Sequence, residues 1–207
     1  MKKYLNSLVL LLFAGAFISL SGCKNDDPLP ENIPELITKV TLKFTPSGGG
    51  AVVIVSATDP DGEGVQDIKV DGPINLIKGT QYTMVLELIN DLFSPGADGY
   101  NITTEVEEEG VEHQFFFRFS EGVFSSPSGT GNIKDNASST VGSVNYLDKD
   151  VNNLPIGVNT SWTTANVVAS TKSLRVVLKH QPNIKSGTST SLDGASDLDV
   201  SFVLNVN

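Results

Sequence analysis

The sequence is poor in the residues that form covalent cross-links and thiolate sites. It contains one cysteine, Cys23, among 207 residues. A single cysteine forms no disulfide within the chain and supplies no cluster of thiolate ligands. The single cysteine therefore excludes a scaffold held by disulfides, a cysteine-rich metal site and a cysteine nucleophile in the folded domain. The hydrophobic core must stabilise the fold.

Basic residues are also scarce. The chain has 14 lysines and arginines against 24 aspartates and glutamates, which gives a formal net charge of −10 at pH 7. A protein with this balance does not bind nucleic acid or anionic lipid head groups non-specifically, because those surfaces carry the same sign of charge. Cations are the charged ligands that the composition favours.

No arrangement of residues typical of a catalytic site is present in the sequence. The serines lie in loop-like segments without a histidine nearby, and no glycine-rich loop opens a helix to hold a phosphate. Neighbouring carboxylates occur only in runs that solvent usually surrounds. We therefore expect a protein that is not an enzyme.

Alternation of apolar and polar residues predicts strands along most of the chain. Val40, Leu42 and Phe44 share one parity, and the apolar segment 51–58 follows after a glycine-rich turn, so these two segments should pair as a hairpin. Further strands are expected over 80–89, 113–119, 143–147, 160–164, 174–180 and 199–207. The segments 120–142 and 182–196, rich in small polar residues, are predicted as long loops.

These strands predict a single all-β domain over residues 36–207. Its fold class should be an antiparallel β-sandwich, immunoglobulin-like in general architecture, because the strands are short and the gaps between them suit hairpins. Ile102–Val106 is interpreted as extended chain. A helix over 103–112 is the alternative, favoured by the glutamates and opposed by Gly110.

The N-terminus has the pattern of a lipoprotein signal peptide over residues 1–22. A basic start is followed by an apolar run from Leu5 to Leu20 and then by Leu20-Ser21-Gly22-Cys23. A cysteine in this position is the acylation point of bacterial lipoproteins, so Cys23 is the predicted site of lipidation. Residues 23–35, with three prolines, are predicted to be a tether. The alternative is a secreted protein with an unpaired thiol.

The segment from Glu105 to Phe119 contains a run of acidic residues, followed by a histidine and a run of phenylalanines. His113 ends one predicted core stripe and His180 ends another, at opposite ends of their strands. If these strands are antiparallel neighbours, both imidazoles lie at one end of the sandwich, near Glu112 and Glu109. That set predicts a site for copper, zinc or another ion that prefers imidazole. The alternative is two strand-end histidines that bind only backbone carbonyls.

A second candidate cation site resembles the first half of a calcium loop. Asp59, Asp61 and Glu63 alternate before Gly64. The position where a bidentate glutamate would follow is Val70, and no helices flank the segment. An Asp-, Pro- and Gly-rich turn without an ion is therefore the alternative.

Several short motifs resemble a family of small Bacteroidetes outer-membrane lipoproteins. Lys24 followed by acids is similar to the signal that exports such lipoproteins to the cell surface. The other matching motifs are Leu36-Ile-Thr-Lys-Val-Thr-Leu42, Asp59-Pro-Asp-Gly62, Ile102-Thr-Thr-Glu-Val-Glu-Glu-Glu109, His113-Gln-Phe-Phe116 and Leu178-Lys-His-Gln-Pro182. The resemblance implies a protein often encoded beside TonB-dependent receptors. The family's periplasmic-binding label implies an α/β fold, which the strand pattern does not favour.

Two functions are therefore expected for this chain. The first is an outer-membrane, lipid-anchored and surface-exposed protein that binds a small ligand or metal ion as accessory to a TonB-dependent importer. The second is a structural or adhesive β-sandwich without a small-molecule ligand, in which calcium at most stiffens loops. The first requires both histidines, and the second does not.

Overall fold

The computed structural model describes residues 35–62 and 67–207. The predicted signal peptide, Cys23, nearly all of the predicted tether and Glu63 lie outside these residues. The described residues all belong to one compact unit. Within the described ranges, no helix has the length and apolar character needed to cross a membrane.

The described residues form eleven strands and one short helix. In chain order these are β1 (Lys39–Pro46), β2 (Val53–Thr58), β3 (Lys69–Val70), β4 (Ile74–Leu76), β5 (Gln81–Ile89), α1 (Ile102–Glu108), β6 (His113–Phe119), β7 (Phe124–Ser126), β8 (Asn145–Tyr146), β9 (Asn159–Thr164), β10 (Ala169–His180) and β11 (Ala195–Val206).

Two sheets pack face to face and form a β-sandwich. The first has the order β3-β2-β1-β5-β9-β7, with β8 also paired to β9, and the second has the order β4-β11-β10-β6. The predicted hairpin of β1 and β2 is confirmed, and its register runs from Lys39 opposite Thr58 to Phe44 opposite Val53. The predicted all-β sandwich is confirmed as well. All pairs are antiparallel except β11 with β4.

The core lies between the two sheets and follows the predicted alternation. Alternate residues are buried in β1, in β5 and in β11 from Leu198 onward, as expected for strands with one covered face, whereas every residue of β10 from Val176 to His180 is buried. Trp162 is fully buried at the centre, in contact with the rings of Phe117, Phe119 and Phe124. Edge-on and tilted aromatic contacts of this kind add to the free energy gained by burial alone.

The extended chain predicted over Ile102–Val106 is wrong, because this segment is the helix α1. Asn101 caps the helix by accepting a hydrogen bond from the backbone N–H of Thr104. Ile102 and Val106, four residues apart, are buried on one face, while three glutamates at 105, 107 and 108 favour the helical backbone. The four-residue spacing of these two buried residues is typical of a helix, whereas a strand with one covered face would bury every second residue.

The segment predicted as a long loop at 120–142 is only partly a loop. It contains β7, and Val123, Phe124 and Ile133 are buried. Ile133 covers Phe116 and Val177 on the outer face of the second sheet. A three-residue strand is too short to show a repeating pattern, and tertiary contacts rather than local alternation determine it.

The substitution Phe117→Ala should destabilise the fold by about 3–5 kcal/mol, because it leaves a cavity beside Trp162 that the rigid sheets fill poorly. The measurement is urea unfolding followed by the fluorescence of Trp162, the sole tryptophan. Val151→Ala is the matched control: Val151 is 93% exposed, so its free energy of unfolding should change by less than about 0.5 kcal/mol. A loss below about 1 kcal/mol for Phe117→Ala would contradict this packing.

Candidate functional site

The two histidines of the chain lie side by side at one end of the sandwich. Strands β6 and β10 are antiparallel neighbours, and their register places His113 directly opposite His180. The predicted adjacency is therefore confirmed. The imidazole rings stack with centroids 4.6 Å apart and an angle of 8° between their planes. His113 is completely buried and His180 is 4% exposed.

One nitrogen of each imidazole contacts an acceptor from the chain around α1. Nδ1 of His113 lies 3.2 Å from the backbone carbonyl oxygen of Glu109, and Nε2 of His180 lies 3.4 Å from Oε2 of Glu112. Carbonyl and carboxylate oxygens accept, so in the neutral imidazoles these two nitrogens carry the hydrogens, an assignment made from the contacts. Nε2 of His113 and Nδ1 of His180 then bear lone pairs.

Those two lone-pair nitrogens are buried without a hydrogen-bond partner in the part of the chain that the structure describes. Buried polar atoms are nearly always paired, because leaving one unpaired costs about 1–3 kcal/mol. Two such atoms on stacked rings are therefore unusual. Donation of a hydrogen bond or binding of a cation would satisfy both nitrogens.

Asp197 faces the same two rings because strand β11 contains a β-bulge. Leu198 pairs with Leu178 and Ser196 pairs with Lys179, so Asp197 is the extra residue between two adjacent pairs. Regular alternation would put Asp197 on the outer face with Asp199. A bulge redirects the side chain locally, and the carboxylate of Asp197 is fully buried.

The buried carboxylate of Asp197 lies close to the unpaired nitrogen of His113. Oδ2 is 3.7 Å from Nε2, beyond a hydrogen bond, and neither carboxylate oxygen has a hydrogen-bond partner among the described residues. Burial raises the pKa of Asp197 to about 6, against smaller lowering effects of His180, the Glu35 backbone and Lys179. The backbone N–H of Glu35 approaches the carboxylate closely enough to lower its pKa.

His113 is neutral at pH 7. Its pKa is lowered to about 4, mainly by burial and in smaller part by His180 and Lys185, while the contact with the Glu109 backbone opposes the shift. A neutral imidazole keeps the lone pair that a metal ion needs. No proton has to leave His113 before it can bind a cation at this pH.

An acidic rim surrounds the histidine pair. Glu109 is exposed, and Glu35, Glu105 and Glu112 are partly buried. Burial raises the pKa of Glu35 to about 7, and the neighbouring carboxylates of Glu105, Glu109 and Asp197 raise it as well. The rim therefore concentrates negative charge at the one end of the sandwich where the imidazoles lie.

Three contacts fix the chain on both sides of the pair. The backbone N–H of Gln181 donates to the carbonyl of Glu112 at 2.6 Å and so continues the pairing of β6 with β10. The buried ammonium of Lys185 binds the carbonyl of Gly110 and the carboxylate of Asp150. At Gly194, with φ of 77°, a Cβ atom would lie 2.1 Å from the carbonyl oxygen of His180, so only glycine fits.

The candidate ligands named from the sequence come together in part. A carboxylate oxygen of Glu109 and one nitrogen each of His113 and His180 lie within 4.8 Å of one another. Glu112 contacts the outer nitrogen of His180 instead. Ligands of one zinc ion lie about 2.0–2.2 Å from it, hence about 3–4 Å from each other, so small side-chain movements would bring this set around one ion.

The second candidate site remains a prediction. Asp59 and Asp61 lie in the turn after β2, while Glu63 lies outside the described residues, so the three acids are not seen together. Within the described ranges, the one group of three or more His, Cys, Asp or Glu ligands is the set of Glu109, His113 and His180.

Sequence reasoning missed Asp197 and Glu35. The alternation of β11 assigns Asp197 to the same face as Asp199, and a bulge of one residue leaves no mark in the sequence pattern. Glu35 precedes the first strand by four residues, and only the tertiary fold brings it to Glu105. Neither residue carried a local signal that could have identified it.

No protein-family model, curated protein or solved structure matches this chain. The resemblance to Bacteroidetes lipoproteins therefore stays a prediction based on short motifs, and the function has to be argued from the site itself.

The substitution Glu35→Gln should stabilise the metal-free protein at pH 8 and have little effect at pH 4.5. The folded-state pKa of Glu35 is raised to about 7, so its contribution to stability is present below its ordinary pKa and is lost as pH rises through about 7. Glutamine never ionises and removes that loss. Urea midpoints in the presence of a chelator measure the difference between variant and wild type.

The control for this experiment is Glu35→Asp, which keeps a titratable carboxylate. Its stability should fall as pH rises, as the stability of the wild type does. An advantage of Glu35→Gln that is the same at pH 4.5 and pH 8 would show that ionisation of Glu35 does not oppose folding.

Proposed function

We propose that this protein captures a metal ion, zinc or copper, at the histidine pair. The protein would act as a lipid-anchored accessory of an importer at the outer surface of the cell. The observation that carries the proposal is the buried, stacked pair of His113 and His180, whose lone-pair nitrogens have no hydrogen-bond partner within the described structure. The carboxylates of Glu109 and Glu112 complete the set of candidate ligands.

The chemistry of the donors supports zinc or copper rather than calcium. Imidazole nitrogen is a borderline-soft ligand that zinc and copper prefer, whereas calcium takes six to eight oxygen ligands. Both imidazoles also have an outer contact to a carbonyl or carboxylate, as metal-binding histidines nearly always do. Such contacts fix the tautomer and the orientation of each ring.

The electrostatics of the acidic rim support capture of a cation from solution. The chain carries a formal net charge of −10, and the carboxylates of the rim, from Glu35, Glu105, Glu109 and Glu112, lie around the site. Negative charge around a cleft raises the local concentration of cations and the rate at which they arrive. Glu109 is the exposed carboxylate of the candidate set, so it is the first of these ligands that an incoming ion would meet.

The proposed location and partner depend on the sequence alone. Leu20-Ser21-Gly22-Cys23 supports lipidation at Cys23, and Lys24 with the following acids supports export to the surface of the outer membrane. Several acyl chains on one residue anchor a protein stably, since each buried methylene contributes about 0.8 kcal/mol. A TonB-dependent receptor is the proposed partner, as the resemblance to Bacteroidetes lipoproteins implies.

Zinc or copper should raise the melting temperature of the full-length protein in detergent, and calcium should raise it less. An ion that binds only the folded state at a free concentration about 100-fold above its Kd raises Tm by roughly 5–10 °C for a chain of this size. The shift should vanish in the double variant His113→Ala, His180→Ala, since the candidate nitrogen ligands are then gone. Each variant is compared with its own metal-free Tm.

The matched control is the double variant Glu107→Gln, Glu108→Gln. It removes the same amount of charge from the exposed face of α1 as Glu109→Gln, Glu112→Gln removes from the site. The control should keep the zinc shift, and the site variant should reduce it. A calcium shift alone would favour the turn at Asp59 and Asp61, and no shift with any ion would favour the structural or adhesive sandwich.

Replacing Cys23 by serine should abolish lipidation, because serine supplies no thiol for the acyl chain. Cells grown with radiolabelled palmitate should label the wild-type protein and leave Cys23→Ser unlabelled and outside the membrane fraction. Ser21→Ala keeps the cysteine and a small residue before it, and it should be labelled like the wild type. Labelling of Cys23→Ser would contradict the proposed anchor.

A further inference from the structure

We infer that Asp197 is the anionic ligand of the metal ion, bound together with His113 Nε2 and His180 Nδ1, while Glu112 and the Glu109 carbonyl hold the outer nitrogens of the rings. This inference rests on the proposed function, because it assigns the ligands of that same site. It replaces the carboxylate of Glu112 in the candidate set by a residue on another strand.

The first argument is that two acceptors face each other in a buried space. Nδ1 of His113 carries the hydrogen that the Glu109 carbonyl accepts, so Nε2 presents a lone pair toward the carboxylate of Asp197. Within the described residues neither group has a regular hydrogen-bond partner, and the donor that approaches the carboxylate is the backbone N–H of Glu35. A lone pair and a carboxylate repel each other unless a cation or a proton lies between them.

The second argument is the distance between the two acceptors. Nε2 of His113 and Oδ2 of Asp197 are 3.7 Å apart. Two tetrahedral zinc ligands, each about 2.0–2.2 Å from the ion, are about 3.4 Å apart. A closure of a few tenths of an ångström, within the reach of side-chain rotation, would bring both atoms into the first coordination sphere.

The third argument is that the bulge brings a carboxylate into the buried end of the sandwich, beside the two histidines. Without the extra residue in β11, Asp197 would point to solvent as Asp199 does. Burying an unpaired carboxylate costs free energy that the bulge itself does not return. Bulges are frequent beside functional sites, where they redirect one side chain.

The resulting donor set is two imidazoles and one carboxylate, with a fourth position open toward the rim. Zinc sites with three protein ligands keep such a position for water or another ligand. Glu109, exposed and within 4.8 Å of the histidine nitrogens, lies where it could occupy this position during entry and exit of the ion. An open position suits a protein that releases its ion to a partner.

Asp197→Asn tests the inference because it should change metal binding and stability in opposite directions. The zinc Kd, measured by competition with a chromogenic chelator, should rise at least about 100-fold, above the 10- to 100-fold typical of residues that only contact ligands. The metal-free variant should unfold at a higher urea concentration, because the new amide can donate to Nε2 of His113. Asp197→Ala should lose zinc affinity equally and gain less stability, since alanine supplies no donor.

Asp199→Asn is the matched control on the same strand, and it should change neither quantity, because Asp199 is exposed and bound to Arg175. Glu112→Gln keeps an oxygen that accepts from His180, so its zinc Kd should rise by less than about 10-fold.

Three results would overturn the assignment. Wild-type zinc affinity in Asp197→Asn, together with loss of affinity in the double histidine variant, would leave the proposed metal capture intact and show that a proton satisfies the Asp197–His113 pair. Loss of both affinity and stability in Asp197→Asn would show a structural role for the carboxylate. Absence of zinc and copper binding by the wild type would instead remove the proposed function itself.

Discussion

The pairing of β6 with β10 is the interaction on which the rest of this site depends. It places His113 opposite His180, stacks the two rings and lets the following backbone bond of Gln181 to Glu112 continue the ladder. A shift of one residue in this register would turn one histidine to the outer face. The buried phenylalanines of β6 oppose such a shift, because they would leave the core with it.

With regular alternation in every strand, the sheet would bury only the two histidines at this end of the sandwich. The bulge in β11 adds the carboxylate of Asp197. Backbone geometry and side-chain chemistry therefore act together at this end of the sandwich. The lone-pair nitrogens and the carboxylate oxygens are acceptors without a matching donor in the described structure. Such an arrangement costs folding free energy, and proteins retain costs of this kind mainly at functional sites.

The fold was predictable where the pattern repeats and unpredictable where it does not. The alternation of β1, β5, β10 and β11 predicted the sandwich, and the opposite positions of His113 and His180 in their strands predicted their adjacency. The segment of helix α1 was misassigned because the five residues Ile102–Val106 fit both the two-residue repeat of a strand and the repeat of a helix. Asp197 was out of reach, since a one-residue bulge is decided by packing of the whole sheet and not by the residues beside it.

The site is assembled from segments that lie far apart in the chain, since Glu112 and His180 are 68 positions apart. The pairing of β10 with β11 brings His180 and Asp197 together. The pairing of β6 with β10 is needed to add His113. The ligand geometry therefore does not exist in an unfolded or partly folded chain. A chain that crosses a membrane unfolded would cross it without the proposed metal ion, and the compartment where folding is completed would decide which ions can first reach the site.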